Sequence, residues 1–194
     1  MSLSTNIEVL KIIMKKTQIT FYISGLPHAH IIIQFTNMPD FNDKQGLSEW
    51  IDNNITAEFP IINDMSSEDD KLYAKKVQSY MIHKCSSGSV NSCLDSDGRC
   101  TKNFTNNMIR NTTTFDERGF PQYKRSTEKC LNVVPHNKKI LMSWDGHANV
   151  EFAGSTFLVL YLYKVTFTIL FPIFFNNFIL VSLQRCKKGK IKTY

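Results

Sequence analysis

Two histidines, His28 and His30, flank a single alanine at the start of the apolar run 31–33. Side chains on a β-strand alternate between its two faces, so residues two apart point the same way. The apolar run predicts a buried strand, with Gly25 and Pro27 in the turn that precedes it. On such a strand both imidazoles project from one surface of the sheet and form half of a metal site. The spacing leaves one alternative open, which is two ordinary histidines, one hydrogen-bonded and one solvated.

A second group of possible metal ligands combines one histidine with three cysteines: His83, Cys85, Cys93 and Cys100. Three thiolates and an imidazole suit a tetrahedral zinc ion. The Ser, Gly, Asn and Asp residues between them predict a loop that is able to fold around the ion. Because the segment lacks a close Cys-x2-Cys pair, two interpretations stay open: a structural zinc site, and reduced cysteines without a ligand. The odd number of cysteines, and a sequence without a recognisable signal peptide, favour both of these over disulfides.

The nonapeptide GLPHAHIII at 25–33 resembles the His-hydrophobic-His motif of the HUH endonucleases. The motif has the form found in the replication-initiator domain of Helitron transposases, which is called the Helitron helicase-like domain. Further segments resemble the same domain in the same order: MIHKCSSGSVNSCLDSDGRCTKNF at 81–104, GFPQYKR at 119–125, VVPHNKKILMSWDGHANVEFAGS at 133–155 and LYLYK at 160–164. The resemblance covers about residues 17–164 and favours this family over an unrelated globular domain.

The resemblance implies a metal-dependent endonuclease that acts on single-stranded DNA. In that family two histidines and a third polar group hold Mg²⁺ or Mn²⁺, which polarises the scissile phosphate, and a tyrosine attacks this phosphate to form a covalent phosphotyrosine. Carried over to this sequence, the metal ligands are His28 and His30. The nucleophile is Tyr161, on a helix that faces the histidine strand. The implied process is rolling-circle replication in DNA transposition, which implies a nuclear location.

The sequence also departs from the family pattern. Val165 stands where the family has its second tyrosine, and Thr20 stands where it has an acidic residue before the first histidine. His147 and Glu151 are possible replacements for a lost ligand, and a surface or structural role is the alternative for each. No glycine-rich loop ending in Gly-Lys-Ser/Thr occurs, so we expect no helicase motor and no bound nucleotide. These departures predict a degenerate fragment, and the alternative function is a catalytically inactive transposon remnant.

The resemblance stops after Lys164, and residues 165–183 carry no charge. This length and the basic residues that follow fit a membrane span, whereas Pro172 and the asparagine pair 176–177 oppose insertion. We therefore expect a tail that the family does not share, with membrane association as the minor alternative. The predicted division is an incomplete Helitron-type HUH domain and an apolar tail with a basic end, at residues 1–164 and 165–194 respectively.

The elements that must position these residues are also visible in the sequence. The alternating segment 17–24 predicts a strand before the histidine strand. Two helices are expected between the histidine strand and the cysteines. One ends before Pro60, and the other starts at Ser66-Ser67-Glu68 and carries an apolar stripe. That stripe predicts core packing: Leu72, Val77, Tyr80 and Met81. Together with the resemblance, the expected fold class is α+β, a mainly antiparallel sheet backed by helices as in replication initiators.

Size and charge agree with one DNA-binding domain but do not identify it. A chain of 194 residues with 42% hydrophobic residues is long enough for one hydrophobic core. The formal net charge of +6 favours a polyanionic partner, here single-stranded DNA. The oligomeric state is left open.

Overall fold

The computed structural model describes residues 14–22, 28–35, 38–85, 93–152 and 178–184. For most strand residues before position 36 and after position 177, the description is limited to the backbone. Within these residues the strands are β1 (Met14–Tyr22), β2 (His28–Phe35), β3 (Thr114–Phe115), β4 (Pro121–Gln122), β5 (His147–Phe152) and β6 (Phe178–Gln184). The α-helices of the same part of the chain are α1 (Lys44–Asn54), α2 (Glu68–Tyr80) and α3 (Lys138–Ser143), with short 3₁₀ turns at Phe104–Asn106 and Glu128–Cys130. The expected α+β class with an antiparallel sheet is confirmed.

The larger sheet has the strand order β1-β2-β6-β5, and every neighbouring pair in it is antiparallel. Strand β2 therefore lies inside this sheet, where its apolar residues suit burial. Residues 178–184, which belong to the uncharged stretch that precedes the basic end, form β6 between β2 and β5. The remainder of 165–194 lies outside the described residues. Strands β3 and β4 form a separate small hairpin.

One face of the larger sheet contributes to the hydrophobic core. The buried residues alternate along β2 and β5, and Val181 on β6 is buried with them; those on β2 and β5 are Ile31, Ile33, Ala148, Val150 and Phe152. The same core includes Leu47 and Ile51 of α1 and Val77 of α2. The helices thus cover this face of the sheet, which fixes the orientation of the alternating positions on β2 and β5.

Both helices before the cysteines begin at side-chain caps. The Asp43 carboxylate accepts the Gly46 N–H at 2.9 Å at the start of α1, and the Ser67 hydroxyl accepts the Asp70 N–H at 3.1 Å at the start of α2. Leu72 of the predicted stripe on α2 is 44% exposed, whereas Tyr73 next to it is buried. Positions 73, 77 and 81 share one helical face, and Leu72 lies about a quarter turn away from it.

A buried histidine ties α2 to the segment before α3. His136 is fully buried, with its Nδ1 2.8 Å from the Val134 carbonyl oxygen and its Nε2 2.7 Å from the Tyr73 hydroxyl. A carbonyl can only accept, so Nδ1 carries the proton and Nε2 accepts from Tyr73. Burial lowers the pKa of His136 to about 4 and raises the pKa of Tyr73 to about 12. The imidazole is therefore neutral in the folded protein at pH 7.

We expect the free energy of unfolding to fall as the pH drops from 6.5 towards 4. The pKa of His136 is about 4 in the folded protein against 6.5 for a free histidine, so the unfolded chain takes up the proton first. At about 1.4 kcal/mol per pKa unit, the loss reaches about 3 kcal/mol below the folded pKa. Urea unfolding of the wild type and of His136→Gln, each at about pH 7 and about pH 4.5, measures this loss in the free energy of unfolding. Equal losses in both proteins would contradict the assignment.

Candidate metal centre

The four predicted zinc ligands come together in the structure. The Nε2 atom of His83 lies 3.2 Å from the Cys85 sulfur, 3.4 Å from the Cys93 sulfur and 3.3 Å from the Cys100 sulfur. All four ligand atoms lie within 4.8 Å of one another. One imidazole nitrogen thus faces three sulfur atoms at nearly equal distances.

These distances match the size of a tetrahedral site. Zinc–sulfur bonds of about 2.3 Å and zinc–nitrogen bonds of about 2.0 Å place the nitrogen and each sulfur about 3.5 Å apart in a tetrahedron. The three nitrogen–sulfur separations of 3.2, 3.4 and 3.3 Å are a few tenths of an ångström shorter. The cluster can therefore hold a metal ion such as zinc.

His83 is positioned by the chain that follows α2. Its backbone N–H donates to the Asn132 carbonyl at 2.8 Å, next to the bridge between Ile82 and Val133. Its ring stacks on Phe104, with centroids 4.1 Å apart and planes 14° from parallel. The imidazole is thus fixed from the backbone and from one ring face, which leaves Nε2 directed at the sulfurs.

Cys93 and Cys100 are brought together by a tight hairpin. The Thr101 N–H donates to the Cys93 carbonyl at 2.7 Å, and the Asp95 carboxylate accepts the Arg99 N–H at 2.8 Å. Gly98 has φ +76°, a backbone conformation that residues other than glycine rarely adopt. The sequence Asp95-Ser-Asp-Gly98 therefore supplies the turn, and the long spacing between the two cysteines is closed without a Cys-x2-Cys pair.

The electrostatics of the cluster favour the thiolate of Cys100 over that of Cys85. Burial alone would raise the pKa of Cys100, but backbone N–H groups of Phe104 and Lys102 directed at its sulfur, together with the thiols of Cys85 and Cys93, lower it overall. Removal of the Cys85 sulfur from water raises its pKa to about 12, and the hydrogen bonds and charges of Cys100 and Cys93 act in the same direction. Burial, with Lys102 nearby, lowers the pKa of His83. A divalent cation would remove the repulsion that keeps further thiols protonated.

The positions of the histidine pair are defined by the sheet register. His28 and His30 lie on β2 in the alternating set opposite to the buried Ile31 and Ile33. Residue 30 pairs with Thr20 on β1, so the position where the resembling family has an acidic residue lies directly beside it. The imidazole rings are outside the description, and so is Tyr161. The metal role of the pair and the role of Tyr161 stay predictions.

The two possible replacement ligands lie on β5 and already have partners. His147 and Glu151 are half-buried on the side of β5 opposite to its core residues. The His147 Nδ1 lies 2.8 Å from the Tyr80 carbonyl, and Glu151 accepts from the Asn149 amide at 2.8 Å. Asn149 lies between them on the same side, and its own side-chain oxygen is buried without a hydrogen-bond partner in the described part of the chain.

A pocket of about 450 Å³ lies next to the cysteine cluster, and the sequence analysis did not find it. Its walls come from residues 102–108, from the β3–β4 hairpin region and from the end of β5. These segments are far apart in the sequence, so no local pattern places them together. The only local signal was the basic and aromatic composition of the segment 118–125, Arg-Gly-Phe-Pro-Gln-Tyr-Lys-Arg.

Comparisons with protein-family models, curated proteins and solved structures find no match to this chain. Among the described residues, no helix has both the length and the apolar character required to cross a bilayer.

Proposed function

We propose that this chain is a Helitron-type HUH endonuclease domain that nicks single-stranded DNA in transposition. Its active site consists of His28 and His30 as ligands of Mg²⁺ or Mn²⁺ and Tyr161 as the nucleophile. The observation that carries the proposal is the placement of residues 28 and 30 in one alternating set of an interior strand. Rigid interior strands hold ligands more precisely than loops do.

The donor set on this side of the sheet suits a hard divalent cation. Residue 30 aligns with Ser182 on β6, which in turn aligns with Asn149 on β5. Asn149 has a buried side-chain oxygen without a partner in the described residues, and carboxamide oxygens are typical ligands of magnesium and manganese. When bound, the cation would supply charge that polarises the scissile phosphate. His28 and His30 would hold it, and oxygen from β5 or water would complete its shell.

The reaction needs no external energy source. The Tyr161 hydroxyl oxygen forms a bond to phosphorus while the bond from phosphorus to the leaving sugar oxygen breaks. The tyrosine proton is lost to solvent, and the leaving oxygen takes up a proton. One phosphodiester is exchanged for one phosphotyrosine, so the bond is conserved for later strand joining.

The second metal site has a structural role in this proposal. His83 and the three cysteines of its cluster would bind zinc and tie the end of α2 to the 93–101 hairpin. The four protein side chains would fill all positions of a tetrahedral ion, which is typical of structural rather than catalytic zinc. The proposed nicking site and the proposed zinc site thus use different residues.

A tyrosine-linked DNA adduct tests the nickase. With Mn²⁺ and 5′-labelled or 3′-labelled single strands, we expect one of the labels to migrate with the protein on a denaturing gel. Tyr161→Phe should abolish this adduct, because phenylalanine has no hydroxyl to form the bond. Tyr163→Phe is the matched control and should retain it.

The replacements Val165 and Thr20 favour a second candidate, an inactive transposon remnant that retains the fold without the chemistry. In that case no adduct forms at saturating Mn²⁺ with either label, although the protein remains folded. A labelled adduct that persists in Tyr161→Phe would instead reject the assigned nucleophile.

A further inference from the structure

The pocket beside the metal centre is strongly basic. Four cationic and two acidic side chains line it: Lys102, Arg110, Arg118, Arg125, Asp116 and Glu151. Lys102 and Arg118 are exposed, and neither forms an ion pair with any residue that the structure describes. The Asp116 carboxylate accepts the N–H groups of Arg118 and Phe120 within its own turn. With four cationic and two acidic side chains, the pocket carries a net positive charge.

Aromatic rings accompany this charge. Phe104, Phe120 and Tyr123 line the same pocket. The Tyr123 hydroxyl accepts the Phe152 N–H at 2.9 Å, and burial raises its pKa, so this ring is fixed and neutral. Cationic groups beside aromatic rings are the combination by which proteins bind single-stranded nucleic acids, with phosphates on the cations and bases on the rings.

The metal centre contacts two residues of the pocket wall. Lys102 and Phe104 both line the cavity, and their backbone N–H groups are directed at the sulfur of the metal ligand Cys100. Phe104 also stacks on the metal ligand His83. A metal ion that fixes Cys100 and His83 therefore also fixes a cation and a ring of the pocket.

We propose that this pocket binds a nucleotide residue of single-stranded DNA, with its phosphate between Lys102 and Arg118, and that the metal ion at the cysteine cluster strengthens this binding. The inference rests on the proposed zinc site and DNA ligand, but it does not require that the protein nicks DNA. Since coupling between two sites is reciprocal, DNA must also strengthen metal binding by the same factor.

Fluorescence anisotropy with a labelled oligo(dT) tests the pocket, using the full chain carrying Tyr161→Phe so that no adduct forms. Replacing both Lys102 and Arg118 with alanine should weaken binding about tenfold or more. The slope of log K against log salt should become less negative by about 0.7, since the two side chains neutralise one phosphate and each neutralised phosphate of a single strand contributes about 0.7. The double variant Lys75→Ala with Lys139→Ala removes the same charge from exposed sites outside the pocket and should change affinity less than about twofold.

Zinc release to a chromogenic chelator tests the coupling. Oligo(dT) should slow release from the wild-type chain, and this protection should be absent from the variant that lacks Lys102 and Arg118. Equal losses of oligo(dT) affinity in the two double variants would show non-specific charge attraction and overturn the assignment of the pocket as the binding site. Binding of dTMP as tight as that of oligo(dT) would overturn the strand as its ligand, and zinc release unaffected by DNA would overturn the coupling. Failure of the nickase alone leaves all three measurements unchanged.

Discussion

Protein purified without chelators should contain one zinc ion per chain, and Cys100→Ser should lower its zinc affinity by more than about 100-fold. Loss of an outer-shell partner costs about 10–100-fold in metal affinity, so loss of a direct thiolate ligand should exceed that range. The Cys100 thiolate is stabilised by the N–H groups of Phe104 and Lys102. Mass spectrometry of the metal content and competition with a chelator give the two quantities.

Cys130→Ser is the matched control for this prediction. Cys130 is buried like Cys100, but its sulfur accepts the Phe59 N–H at 3.3 Å and it is not part of the cluster. A serine oxygen can accept the same bond, so this variant should retain one zinc. Less than half an equivalent of zinc in wild-type protein with a native circular dichroism spectrum would refute the site.

Zinc removal should also destabilise the fold locally. The ligands lie at the end of α2, which is part of the core, and on the 93–101 hairpin, so a bound metal ion would link the two. Binding energy of a structural metal becomes folding energy when the site does not exist in the unfolded chain. Chelation should therefore raise hydrogen exchange at residues 93–104 more than at Leu47 or Ile51 of the core.

The metal centre could be predicted from the sequence because its four ligands and the turn between them lie close together along the chain. Ligand types within 83–100 and the Asp95–Gly98 turn are both readable without the fold. Spacing alone left zinc and unligated cysteines equally open, since a Cys-x6-Cys pair meets only when the intervening hairpin closes. The structure supplies that closure through the bond between Thr101 and Cys93.

Strand β6 and the basic pocket could not be predicted from the sequence because both depend on contacts between distant segments. The uncharged stretch that includes 178–184 has the composition both of an apolar tail and of an inner strand, and periodicity does not separate these for short apolar runs. Its pairing with β2 and β5 depends on strands distant in the sequence. The basic pocket likewise combines residues from 102 to 152, so it was not visible before the fold.

Arg125→Met should destabilise the protein by about 2–6 kcal/mol, because two buried carbonyls lose their donor and each such loss costs about 1–3 kcal/mol. Arg125 is only 4% exposed. Its Nη1 donates to the carbonyls of Cys130 and Val133 and lies 3.4 Å from the carbonyl of Ala57. Burial lowers the pKa of Arg125 to about 10, so the guanidinium is still charged at pH 7. Methionine fills similar volume but donates nothing, so the Val133 and Ala57 carbonyls lose this donor, whereas the Cys130 carbonyl still accepts the Val133 N–H at 3.1 Å.

Urea unfolding at pH 7 measures the effect, with Lys129→Met as a control that removes a cation from an exposed neighbouring site. The control should change the free energy of unfolding by less than about 0.5 kcal/mol, as most surface substitutions do. The change in the free energy of unfolding for Arg125→Lys should lie between those of the other two variants, because an ammonium retains the charge but lacks the planar fork of the guanidinium. A change below about 1 kcal/mol in Arg125→Met would mean that the carbonyls find other donors, since a single buried unsatisfied group already costs that much. Because Arg125 also lines the basic pocket, a large loss would show that this cation supports the fold, which leaves Lys102, Arg110 and Arg118 as the other cations of the pocket.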